Sequence, residues 1–148
     1  MMQSTGALMN SSPGHIKNES WLLISEGDTP YIISAELKRI GIDIVCIITG
    51  GTHAHIGAVS LAEPAVSLHP VTGQKIEKGS EPIVRILIGE GHKDALPAEM
   101  YAKALCRHFN VNVVCTAGIH VDGATQEEID IMMKNVKRLL EKLLEAEI

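Results

Sequence analysis

The sequence predicts one α+β domain, a mainly antiparallel sheet of about six strands with two helices packed on one face. Two features of the chain predict it. Up to Ile88, short apolar runs alternate with breaks at glycine and proline, whereas helical spacing appears only from Pro97 onward. The order is therefore strands first, then strand–helix–strand–helix. A length of 148 residues suits one domain and buries enough surface to fold without disulfide or metal staples.

Met1 to Asn18 is rich in Ser, Asn, Gly and Pro and reads as a frayed tail (1–18), leaving 19–148 as the domain. Trp21–Ile24 is a short apolar run closed by Glu26-Gly27-Asp28, a strand and a turn. Tyr31–Ile40 is a strand with Glu36, Lys38 and Arg39 on an outer side, and Gly41 reverses the chain into Ile42–Ile48. That second run is almost wholly apolar, as a central strand covered on both faces would be. Gly50-Gly51 breaks it, and His55–Ala62 is expected as the third strand of a meander. Glu63–Pro82, with three prolines and mixed charge, reads as a long surface loop.

Ile83–Ile88 is again a strand. Ala98, Tyr101, Ala102, Leu105 and Phe109 then fall at helical spacing, with Pro97 in the first turn and Asn110 at the end. Val111–Ala117 is a short β-branched strand and Gly118–Gly123 a loop. The last segment is a helix, with an apolar stripe from Ile129 through Val136 to Leu144. Thr125 and Glu128 form its capping box, in which each residue satisfies an orphan backbone donor of the other. Met132-Met133 reads as core filling and part of the stripe as a surface for another subunit.

Composition narrows the function. A net charge of −5, from 13 basic and 18 acidic residues, argues against a nucleic-acid partner, which would require clustered Lys and Arg. No apolar run approaches the ~20 residues that span a bilayer, and the first residues lack the pattern of a secretion signal. Cys46, Cys106 and Cys115 are far apart and odd in number, so they read as reduced, buried thiols of a cytoplasmic protein.

Three loops join glycine to histidine at strand ends: Gly50–Gly57, Gly89–Asp94 and Gly118–Thr125. Glycine lets backbone N–H groups approach a ligand, and the second and third loops run into helix N-termini, which attract anions. With Lys93 they could hold a phosphate; the plainer reading is ordinary helix-capping turns. A metal site is a second possibility. His53 and His55 would share a face of a strand, and His92, His120 and Asp122 could complete a zinc-type set. His120 with Asp122 could do acid–base work, but no nucleophile, GxSxG elbow, Walker loop or dinucleotide fingerprint accompanies it. The residues favour an accessory protein over a free-standing enzyme.

At these loops the sequence resembles the LpdD-like family of prenylated-flavin chaperones, the D subunit that accompanies gallate-type UbiD decarboxylases. The matching strings are Thr49–Thr52 with His55–Val59, Gly91–Asp94, and Gly118–Asp122 with Ala124-Thr125. The resemblance implies a proteasome-assembly-chaperone-like fold, a homodimer, and a role in delivering or stabilising prenylated FMN for a non-oxidative aromatic-acid decarboxylase. It places Gly51, Thr52, His55, Gly91, His92, Lys93, His120 and Asp122 at the cofactor or partner site. The metal reading, through His53, His55, His92 and His120, stays open beside it. So does an assembly chaperone for another complex, in which the loops are purely structural.

Overall fold

The structure, a computed structural model, describes residues 21–77, 81–90 and 94–146. The expected tail, residues 1–18, and Gly91, His92 and Lys93 lie outside them. Six strands form the main sheet: β1 (Leu22–Glu26), β2 (Ile33–Ile40), β3 (Asp43–Gly51), β4 (Ala58–Glu63), β7 (Ile83–Ile88) and β8 (Val113–His120). Between β4 and β7, β5 (Val66–Leu68) and β6 (Lys75–Glu77) pair as a separate two-stranded ribbon. Helix α1 (Ala95–Phe109) lies between β7 and β8, and α2 (Gln126–Glu145) closes the chain.

The α+β class, the six-stranded sheet and the two helices agree with the sequence reading, as does the β2–β3 hairpin about Gly41. The meander does not. The strand order is β1-β2-β3-β8-β4-β7, so β8 enters between β3 and β4, parallel to β3 and antiparallel to β4. Instead of turning back on β3, the chain crosses the end of β8 through residues 52–57 before β4 begins. His53 and His55 therefore sit on a loop and not on one face of a strand. β8 also runs through Gly118 to His120, where a loop was expected, because Thr49 and Gly51 of β3 supply its partners. The supposed surface loop after Glu63 contains the β5–β6 ribbon.

One face of the sheet carries the core. Ile33, Leu37, Ile48 and Val113 are fully buried beneath Tyr101 and Leu105 of α1 and Leu139 and Leu143 of α2. Helix α1 covers β4, β8 and β7, and α2 covers β1 and β2. The Tyr101 hydroxyl donates to the Val136 carbonyl, tying the helices together. Thr125 and Glu128 form the expected capping box, with the Glu128 N–H 3.2 Å from the Thr125 hydroxyl and the Thr125 N–H 3.1 Å from the Glu128 carboxylate. All three cysteines are buried free thiols.

Candidate functional site

The topology brings two glycine–histidine segments, Gly50–Gly57 and Gly118–Thr125, and the described ends of the third, Gly89, Glu90 and Asp94, to one end of the sheet. β3 and β8 are parallel, so Gly51 and His120 end side by side in register. β4 and β7 are antiparallel, so Ala58 at the start of one lies beside Ile88 at the end of the other. Backbone bonds fasten these ends together. The Thr52 N–H donates to the His120 carbonyl at 2.8 Å, the Gly57 N–H to the Ala117 carbonyl at 2.8 Å, and the Gly89 N–H to the Gly57 carbonyl at 2.7 Å. The Thr52 hydroxyl also donates to the His120 carbonyl, at 3.3 Å.

Two glycines permit this packing by lacking a side chain. A Cβ on Gly118 would stand 1.7 Å from the His55 carbonyl oxygen, and one on Gly57 would stand 2.0 Å from an Asp94 carboxylate oxygen. No real contact is that short, so the loop carrying the histidines can cross β8 only over glycine.

Side chains then interlock above the crossing. Asp122 accepts from His120 Nε2 at 2.7 Å and from His53 Nε2 at 3.2 Å. The bond from His120, and after it the bond from His53, hold the Asp122 carboxyl below the usual carboxylate range. His55 Nε2 lies 3.3 Å from the buried Asp94 carboxylate, and its Nδ1 is 3.2 Å from the His53 carbonyl oxygen. The His53 and His55 rings lie 5.8 and 6.1 Å from the His120 ring, centroid to centroid.

Sequence reading missed Asp94. As the residue before a helix it reads as an N-cap, yet its side chain makes no capping bond. Its carboxylate instead accepts the Ile119 N–H at 2.9 Å and faces His55, so it joins α1, β8 and the β3–β4 loop. The signal was its place at the end of Gly91-His92-Lys93-Asp94. Spending the carboxylate there leaves the first turn of α1 without a side-chain cap or an acid.

Behind the histidines lies a cavity of about 520 Å³, between the N-terminal turns of α1 and α2 and the end of β8. His55, Asp94 and His120 stand at its polar side, and Leu96, Val121, Met132 and Met133 are among its apolar walls. The methionine pair therefore lines this cavity, beyond the plain core filling that the helical stripe suggested. Its volume falls within the ~300–1,000 Å³ of small-molecule sites.

Of the expected site residues, Gly51, Thr52, His55, His120 and Asp122 come together here. Among the described residues, no three His, Cys, Asp or Glu side chains are placed to hold a metal ion. No helix among them is long and apolar enough to cross a membrane. Burial raises the Cys46 thiol well above its ordinary range and pushes Cys106 up to about 11, so neither is a nucleophile at neutral pH.

Comparison with known proteins gives three findings. A family model described as the prenylated flavin chaperone LpdD-like domain matches residues 27–147. Protein LpdD of Lactiplantibacillus plantarum is 31% identical over 99 residues, covering 67% of this chain and 65% of that protein. The match thus spans just under two thirds of that relative's length. A chain from the crystal structure of a chaperone complex for yeast 20S proteasome assembly superposes with a TM-score of 0.45 at 13% identity, covering 84% of this chain and 97% of that chain.

Proposed function

We propose, from the premise that this chain belongs to the prenylated flavin chaperone LpdD-like family, that its joined loops and cavity hold prenylated FMN for transfer to a UbiD-type decarboxylase. Family membership makes it an accessory chaperone; the cofactor, the partner and the seat of binding are our reading. One observation supports that seat above the rest: the glycine–histidine segments about His55 and His120, from distant parts of the chain, converge with Asp94 on a cavity with an apolar wall and a polar rim.

The two sides of the site suit the two halves of such a ligand. Leu96, Val121, Met132 and Met133 offer a polarisable, adaptable wall for a fused aromatic ring system. The phosphate belongs at the rim, where the uncapped first turn of α1 and the start of α2 present backbone donors and positive dipole ends. With its cysteines buried and the Thr52 hydroxyl donating to the His120 carbonyl, we read the site as one that binds cargo without a covalent step.

The test is a titration of FMN and prenylated FMN into the purified protein, followed by flavin fluorescence and absorbance. Saturable binding of prenylated FMN, lost in a His120→Ala, Lys93→Ala double variant, is the expected result, together with co-purification of the decarboxylase. A protein that binds neither flavin, and that ignores the decarboxylase in a pull-down, overturns the reading.

A further inference from the structure

Packing alone does not hold every wall of the cavity. Ile129, Met132, Met133 and Val136 of α2 line it, so part of their surface faces the cavity and not a packed neighbour. Side chains beside a void lose some of the close contacts that fix a core. Polar ties then help decide where that wall stands. Tyr101 of α1 ties the helix at the Val136 carbonyl. Nearer the start of α2 the ties run to a single residue, Tyr31, in the β1–β2 turn (residues 27–32).

Every polar group of Tyr31 is engaged. Its N–H donates to the Asp28 carbonyl at 2.7 Å, which closes the turn. Its carbonyl accepts from the Asn135 side-chain amide at 2.9 Å, and its hydroxyl donates to the Glu128 carboxylate at 3.0 Å. Glu128 and Asn135 stand about two turns apart along α2, so one residue grips the helix twice. Asn135 is buried beside Met132 and Val136 in sequence, where an amide without a partner would be costly. Gly27 permits the approach: its φ is 93°, and a Cβ there would stand 2.2 Å from the Asn135 amide nitrogen.

The next residue reaches the other wall. The Ile32 carbonyl accepts from the Gly51 N–H at 3.3 Å, beside Thr52, where the histidine loop begins. We propose that Tyr31 is a positioning residue of the site, setting the methionine wall on α2 at its distance from the histidine loop. This role rests on the cavity being the binding site proposed above. Charge supports the hydroxyl tie. The Thr125 N–H first, and the Tyr31 hydroxyl after it, hold the Glu128 carboxyl below its ordinary range, and the bond to Glu128 in turn raises Tyr31. One carboxylate thus caps α2 and moors it to the turn.

Tyr31→Phe keeps the ring and the carbonyl tie and removes only the hydroxyl. In ligand-free protein labelled at its methionine methyls, the Met132 and Met133 NMR signals should shift while that of Met100, on α1, stays. The Glu128 carboxyl midpoint should rise toward its ordinary value of 4.5 without reaching it, because Thr125 still donates. Prenylated FMN, titrated far below the unfolding temperature, should bind about threefold or more weakly, the scale on which a tie remote from the ligand alters affinity. Unmoved Met132 and Met133 signals overturn the positioning role, as do shifted signals with unchanged affinity. A parent chain that binds no flavin counts against the cofactor reading, and the methyl signals then decide the role of Tyr31 by themselves.

Discussion

At the residue scale the candidate site depends on what two glycines leave out. Gly118 lies under the His55 carbonyl, and Gly118→Ala would force the β3–β4 loop off β8. Overpacking of this kind costs about 1–3 kcal/mol, so the urea midpoint should fall and flavin binding, where present, should fall with it. A variant as stable as the parent would show that the loop yields without cost. Asp122 offers a test by pH. Its folded pKa lies below the ordinary Asp value of 3.8, through His120 first and His53 second. Its contribution to stability is therefore present above 3.8 and is lost as pH falls through the lower value of the folded chain. In His120→Ala the Asp122 midpoint, followed by carboxyl NMR, should rise toward 3.8. An unchanged midpoint would remove His120 as the main cause.

Among the elements, those whose signals are local could be read from sequence. The Thr125–Glu128 box and the apolar stripe after it gave α2, and Pro97 with Asn110 bracketed α1, whose C-cap Asn110 is left-handed at φ 54°. Helical period says which face is inward but not what it meets there, so Met132 and Met133 read as core, which the packing bears out, while the cavity they also line was not legible. The three-residue strands β5 and β6 are too short for alternation to register among prolines. The helix pair offers its own prediction. Tyr101 is buried, burial foremost raises its pKa, and its hydroxyl donates to the Val136 carbonyl. Tyr101→Phe should destabilise by about 0.5–1.5 kcal/mol, the net worth of one such bond, read as a lower denaturation midpoint with the fold intact. A larger loss would mean that the hydroxyl also orders the cavity between the helices.

For the molecule as a whole, the sequence told fold class and loop chemistry but not how the loops meet. Consecutive strands with short connections suggest a meander, and nothing local to Val113–His120 announces that it pairs with β3 and β4 at once. Gly118 itself looked like a strand breaker, whereas it marks the crossing on which the site depends. His53, His55 and His120 were legible as a group through their residue types and glycine neighbours. Asp94, which ties His55 to α1 and β8, was not, because an acid before a helix has a commoner explanation.

The parallel seam of β3 and β8 also sets an order of events in time. β1, β2 and β3 can pair as soon as they are made, since each meets its neighbour across a short turn. β8 can join β3 only after β4 to α1 have been synthesised and looped out, and closing so long a loop delays folding. The candidate site consists of the contacts that this last closure creates. In refolding followed by pulsed hydrogen exchange, amides of the β2–β3 hairpin should gain protection before those of Thr52, Gly57 and Ile119. Until β8 arrives, a newly made chain has its first hairpin in place and no pocket in which to carry a ligand.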